Sequence, residues 1–408
     1  MFKLLHATGY NTDSIHSIGI KVTHLLIKSN IHDAKYKISI TSNKYDPIEF
    51  LFPYEALPKI NFHDYALWAI LPLAMKNGDH IEIQEPISKR AYESVLKVAR
   101  IWNFWVPHFY QKIKITAHQI VETEKANNQK SLMCFSGGID STYSTLKLYQ
   151  QQVKNVDSLT VHGMDYKVND TSKFDQLLEK THKLRASVFG QSRFVKTNIY
   201  TVYNQQKCNP KGTHVTHIFS LFASLSLFEG YEHYLIASDE RIDQQFVSHP
   251  YGSNSASNKL MHNVSGSLVT VDDDVTRFEK TEYLVKNQFD LTSLSACGDA
   301  KARPHNCGVC IKCLWTKSML LAVTGKIPNI FLDINLSHDW YERIDLRDIT
   351  NQMYAFDVLE YLDIHNKTDL LPGYQGLREK LNLVMLRREL DRLKNYPKLS
   401  LLKELITL

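Results

Sequence analysis

From residue 131 onward, short apolar runs alternate with longer segments of helical spacing, and this rhythm constrains the fold more than any other feature. Ser131-Leu132-Met133-Cys134-Phe135 reads as a strand, 141–151 as a helix and 158–162 as a second strand. A helix over 172–188, a strand over 192–197, a helix over 216–229 and a strand over 234–238 continue the alternation. Such a pattern predicts an α/β domain, a doubly wound parallel sheet with helices on both faces. Ligands of such sheets collect outside the carboxyl ends of the strands.

The preceding segment has a different texture. Apolar or alternating runs at 21–27, 36–40 and 48–52 predict strands, with Ser29-Asn30 and Ser42-Asn43 as turns. Residues 64–75 read as a buried helix, 81–83 as a strand and 88–102 as a helix with Val95, Val98 and Ile101 on one face. This predicts an α+β N-terminal domain over 1–125, with a polar linker at 122–130. The central domain spans 126–330, and 331–408 is a helical C-terminal extension. Within that extension 376–393 has the spacing of an amphipathic helix packing on its own domain, stopped by Pro397.

Composition excludes several classes. The longest apolar run, 65–75, has 11 residues and contains Pro72, whereas a membrane span needs about 18. The first residues lack the apolar core of a signal peptide, so a cytoplasmic protein is expected. A net charge of +5 on 408 residues does not point to nucleic acid.

Two motifs carry chemistry. The first, Ser136-Gly137-Gly138-Ile139-Asp140-Ser141, joins a strand to a helix. Two glycines permit positive φ and close approach of a ligand to the backbone. Successive N–H groups and the helix N-terminus then favour an anion. Ser136 and Ser141 add hydroxyls, and Asp140 suits Mg²⁺ or the orientation of a loop N–H. Val161, His162, Gly163 and Asp165, at the end of the next strand, are candidates to line the ligand site.

The second motif is Cys297, Cys307, Cys310 and Cys313, four of the chain's six cysteines. The spacing suits a closed tetrahedral thiolate shell around a structural ion. Zn²⁺ is preferred over an iron–sulfur cluster, and His305 is a substitute ligand should one cysteine be free. Cys134 and Cys208 are isolated, and Cys134 reads as core.

The first motif resembles the S-G-G-x-D-S loop of the PP-loop ATP pyrophosphatases, which are of the adenine nucleotide alpha hydrolase-like type. Followed by the cysteine cluster, it resembles the QueC family, the 7-cyano-7-deazaguanine synthases of queuosine biosynthesis, over about residues 131–330. The resemblance implies ATP, Mg²⁺ and Zn²⁺ as cofactors. It implies Ser136, Gly137, Gly138, Asp140 and Ser141 around the departing pyrophosphate, with Asp140, Ser141 and Lys280 as catalytic residues. Arg277 and Lys280, in Arg277-Phe278-Glu279-Lys280-Thr281, become phosphate or carboxylate contacts. The chain is larger than the standard synthase and lacks that family's tyrosine–proline–aspartate–cysteine segment; residues 238–241 and 248–253 stand in its place. In this it looks like the enlarged QueC-like proteins of bacterial antiphage defence operons. There the resemblance implies that a 7-carboxy-7-deazaguanine-type carboxylate is adenylated and joined to an amine of a partner protein. The alternatives are ordinary nitrile formation, a tRNA-modifying PP-loop enzyme, and a non-catalytic nucleotide-binding subunit.

Overall fold

The computed structural model describes residues 24–32 and 36–394. The start of the strand expected at 21–27 and the stop at Pro397 lie outside the described residues. The N-terminal segment supplies β1 (His24–His32), β2 (Lys37–Ser42), β3 (Ile48–Leu51), β4 (His80–Ile83), β5 (Ile87–Ser88), β6 (Lys114–Ala117) and β7 (Ile120–Val121). The central segment supplies β8 (Ser131–Cys134), β9 (Val156–His162), β10 (Ser192–Thr197), β11 (His233–Ala237) and β12 (Ser267–Val271).

Ten of these strands form one sheet, in the order β12-β11-β8-β9-β10-β3-β2-β1-β4-β6. The five central strands are mutually parallel. The sheet as a whole is mixed, because β3 lies antiparallel to β10 and is followed by antiparallel β2 and β1. The protein is therefore an α/β protein whose sheet runs on from the central segment into the N-terminal one. Ser29 and Asn30, expected in a turn, lie inside β1 and pair with Ile40 and Ser39 of β2. A turn signal of two polar residues is overridden where the flanking backbone has a strand to pair with.

The helices are α1 (Asp64–Asn77), α2 (Lys89–Trp105), α3 (Ile139–Gln150), α4 (Thr171–Val188), α5 (Ile199–Gln205) and α6 (His217–Leu225). They continue with α7 (Ile242–Ser248), α8 (Ser255–Asn258), α9 (Arg277–Lys286), α10 (Ile311–Thr324), α11 (Ile349–Ile364) and α12 (Tyr374–Lys394). Alternation along the central strands divides the apolar residues between two faces. Leu132, Tyr234, Ile236 and Leu268 join the large core containing Trp68 of α1, Trp102 of α2 and Phe222 of α6. Met133, Phe135 and Leu235 face the other way, toward Leu148 of α3 and Leu184 of α4. The helix expected to run to 229 ends at Leu225, where the chain turns through Ser226 and Phe228.

The C-terminal helices are not a detached appendage. Trp315 and Met319 of α10, Val358 and Leu362 of α11 and Leu377 and Leu381 of α12 share one core with Phe278 of α9. Along α12, Leu377 and Leu381 are buried, whereas Leu383 and Leu386 are exposed. Among the described residues no helix is long and apolar enough to cross a membrane.

Candidate functional site

β8 and β11 are neighbours in the sheet, yet the chain runs from β8 to β9 on one side and returns to β11 on the other. That reversal of strand order is where open α/β sheets bind ligands, at the carboxyl ends. The Ser136–Ser141 loop lies at that point, between β8 and α3. Gly137 has φ +74°, and a Cβ there would press on Thr181 and Leu177 of α4 at 3.1 and 3.2 Å, so a side chain would be strained twice over. Gly138 caps α3 and brings no side-chain bond. By contrast, Ser88, Thr276 and Asp348 cap α2, α9 and α11 with their side chains. The loop is held by its own hydroxyls: Ser136 N–H donates to Ser141 Oγ at 3.3 Å and Gly138 N–H to Ser136 Oγ at 3.3 Å.

A cavity of about 660 Å³ opens above the loop, within the range of small-molecule sites. Ser136, Asp140 and Ser141 form part of its wall, with Val161 and Asp165 from the end of β9. His162 does not line it: the ring is buried, bonds Lys167 O through Nε2 at 2.8 Å and stacks on Phe174. Gly163 also serves the fold, because a Cβ there would collide with the Thr197 carbonyl.

Asp140 is the centre of a charge cluster. Arg277, the first residue of α9, reaches its carboxylate through Nη2 and, at 3.4 Å, through Nε. Lys280 Nζ lies 3.5 Å from Asp140 Oδ1, the oxygen that Arg277 Nε also reaches, and donates to Ser238 O at 2.5 Å. The two cations are three residues apart and share one helix face, but their roles differ. Arg277 lines the cavity, whereas Lys280 is fully buried behind it and is not part of its wall. Lys280 is placed to hold Asp140 and the end of β11 and not to touch a ligand.

Asp239, Glu240, Tyr251 and Ser253 form another part of the wall. Asp239 lies 3.6 Å from Arg277 and accepts from Tyr251 at 2.8 Å and Ser253 at 3.1 Å. Burial pushes its carboxyl upward, but Arg277 and His217 outweigh this and leave it below the usual range. Glu240 behaves oppositely: burial raises its carboxyl to about 7, although Ser248 and Thr350 bond it. Burial also lowers the His217 imidazole, whose Nε2 lies 2.8 Å from Ser253 Oγ.

Several wall residues had no signal in the sequence. Tyr354 and Asn351 of α11 and Trp315 of α10 close the cavity. The Arg277 guanidinium lies 5.2 Å from the Tyr354 ring centroid, a cation–π arrangement. The alternation that marks the other elements says nothing about how α11 folds back over the sheet edge.

The four cysteines come together as expected, and they could bind a metal such as zinc. Their sulfurs all lie within 4.8 Å of one another. Cys297–Cys310 and Cys307–Cys313 are 3.8 and 3.9 Å apart, close to the edge of about 3.8 Å for a tetrahedron with Zn–S bonds of about 2.3 Å. Backbone N–H groups of Gly298, Val309 and Cys310 point at the sulfurs at 3.2–3.4 Å, as suits thiolates. Gly308 has φ +80° and its Cα packs against the Asp333 carbonyl, so only glycine fits. His305 is not among the gathered ligands. Cys134 and Cys208 stand apart from the cluster, and burial raises both thiols to about 12.

No family model, curated protein or solved structure matches the chain.

Proposed function

We propose that this chain is an AMP- and pyrophosphate-forming ligase that activates a 7-carboxy-7-deazaguanine-type carboxylate with ATP and passes the acyl group to an amine. The observation that carries the reading is the S-G-G-x-D-S loop at the strand-order reversal, opening into a cavity large enough for a nucleotide. The base substrate is taken from the resemblance of the two motifs to the QueC family.

A carboxylate oxygen attacks the α-phosphorus, the bond to the β-phosphate oxygen breaks, and pyrophosphate leaves with the electron pair. The amine nitrogen then attacks the acyl carbon, AMP leaves with the carbon–oxygen pair, and the nitrogen loses a proton. In this account the N–H groups at the start of α3 and the hydroxyls of Ser136 and Ser141 receive the charge that builds on pyrophosphate. Arg277 is both the partner of Asp140 and a cation in the cavity wall. Mg²⁺ would neutralise the triphosphate when bound, with Asp140 as the loop's own carboxylate toward it. No enzyme nucleophile is needed.

A partner-protein amine is favoured over ammonia. Beyond Asp239 and Glu240, α7 exposes Ile242, Phe246 and Val247, an apolar strip beside the site of the kind that contacts polypeptide. The test is release of AMP and pyrophosphate with and without 7-carboxy-7-deazaguanine, followed by mass spectrometry of small molecules and co-expressed operon proteins. A deazaguanine mass on a protein supports the reading. Free nitrile would assign the chain to the synthases instead. No stimulation by the carboxylate in folded, metal-replete protein would sink the substrate.

A further inference from the structure

A second cavity, of about 130 Å³, adjoins the large one and is bounded by the glycine loop on one side and the cysteine segment on the other. It is smaller than the roughly 300–1,000 Å³ of whole small-molecule sites, so it suits a small polyanionic group and not a nucleoside. Ser136, Gly138 and Asp140 form the loop side. Cys297, Arg303 and Lys312 form the other.

The charges around it are almost all committed to one another. Asp140 is held by Arg277 and Lys280, and Asp239 by Arg277, Tyr251 and Ser253. Arg303 donates to Cys297 O at 2.7 Å and pairs with Asp165 at 3.1 Å. Lys312 is the exception: among the described residues its ammonium has no hydrogen-bond or ion-pair partner. It sits between two of the four gathered cysteines, Cys310 and Cys313, so its backbone is fixed by the segment that holds them. Its stem runs along Gly298, where a Cβ would lie 3.5 Å from Lys312 Cγ. The helix it belongs to, α10, also starts without a side-chain cap.

We propose that the four-cysteine segment is the second wall of an anion subsite, in which Lys312 faces the glycine loop across the small cavity and binds the terminal phosphates of a nucleoside triphosphate or the released pyrophosphate. This rests on the nucleotide reading above. It gives the cysteine centre a second role: holding its fold also holds a cation opposite the loop. Arg303 acts as a positioning residue, tying the Cys297 carbonyl to Asp165 at the end of β9.

The test is calorimetric binding of inorganic pyrophosphate and, separately, of AMP to the full chain and to Lys312→Ala and Lys312→Arg, with metal content measured for each. Lys312 is exposed, so Lys312→Ala should fold and keep its metal. Pyrophosphate affinity should fall about tenfold or more in Lys312→Ala, as for loss of one charge-assisted contact. Lys312→Arg should largely restore it, and AMP affinity should stay unchanged in both. Equal pyrophosphate affinity in the wild type and Lys312→Ala would overturn the subsite and leave the nucleotide reading standing. Wild-type protein that binds neither pyrophosphate nor AMP would remove both.

Discussion

Asp64 and Asp140 are both buried aspartates tied to one sheet, and they are satisfied in different ways. Asp64, at the start of α1, accepts from Ser88 N–H at 2.8 Å, Ser88 Oγ–H at 2.7 Å and Val264 N–H at 2.6 Å. Its partners are neutral and belong to two segments, Ser88 in β5 and Val264 on the approach to β12. Asp140 faces two cations and an open cavity. The first arrangement joins elements where no ligand can enter. The second keeps charges poised beside space. A buried carboxylate with neutral backbone donors is a rivet; one held between cations at a cavity wall is a site.

Five experiments would break or sharpen that contrast. The largest effect should come from the four-cysteine cluster beside the cavity. Cys313→Ser should lose metal and soluble yield together, because structural metal binding supplies folding energy on the order of 10 kcal/mol; a soluble variant with full metal content would contradict the four-sulfur site. Next, Asp140→Asn should cut carboxylate-dependent pyrophosphate release by about 10²–10³-fold, the scale of one lost electrostatic contact. If its activity stays intact while its urea midpoint collapses, Asp140 is merely another rivet.

Asp64→Ala should do the reverse. It leaves the Ser88 and Val264 N–H groups buried without acceptors, a loss of about 3–4 kcal/mol read from the urea midpoint at constant slope. Activity per folded molecule should be unchanged. The pH dependence of stability is a related, smaller test. Burial raises the Asp64 carboxyl from 3.8 to about 6 in the folded protein, against its hydrogen bonds to Ser88 and Val264. The folded state therefore holds an extra proton between these values. Its contribution to stability is full below about pH 4 and is lost as the pH rises through about 6, up to about 3 kcal/mol. Urea midpoints of Asp64→Asn from pH 4 to 6 should be correspondingly flatter; an unchanged slope would put the titration elsewhere. The smallest effect belongs to Ser88→Ala, which removes the α2 cap on Ala91 N–H and one of the hydrogen bonds to Asp64. It should cost about 2 kcal/mol with no change in activity.

The two aspartates also measure what a sequence can disclose. Asp140 stands in a strand–glycine–helix context whose physics is local, so its place was legible, as were β8 to β11 and the four cysteines. Asp64 lies in a segment legible as a buried helix, but its partners at Ser88 and Val264 come from distant parts of the chain. The same limit hid the far wall of the cavity. α11 shows no apolar stripe, because α7, α9, α10 and α12 pack against it from several sides while its apolar Phe356 and Ile364 stay exposed. Tyr354 and Asn351 reach the cavity only through that packing. β12 is a short edge strand with four of its five residues half-buried, too weak an alternation to stand out. The resemblance implies Lys280 as a catalytic residue and ligand contact, but the carbonyl of Ser238 and the Asp140 carboxylate draw it wholly inside, behind the cavity wall.

The central claim is that the loop after β8 holds the phosphates of ATP while the larger cavity holds its nucleoside. A crystal structure of the full chain with α,β-methylene ATP tests it most directly. The account predicts the β- and γ-phosphates against Gly138 and the start of α3, facing Lys312, with the adenosine between the ends of β8 and β9. Phosphates bound away from the Ser136–Ser141 loop, or a nucleotide seated outside the cavity, would contradict it.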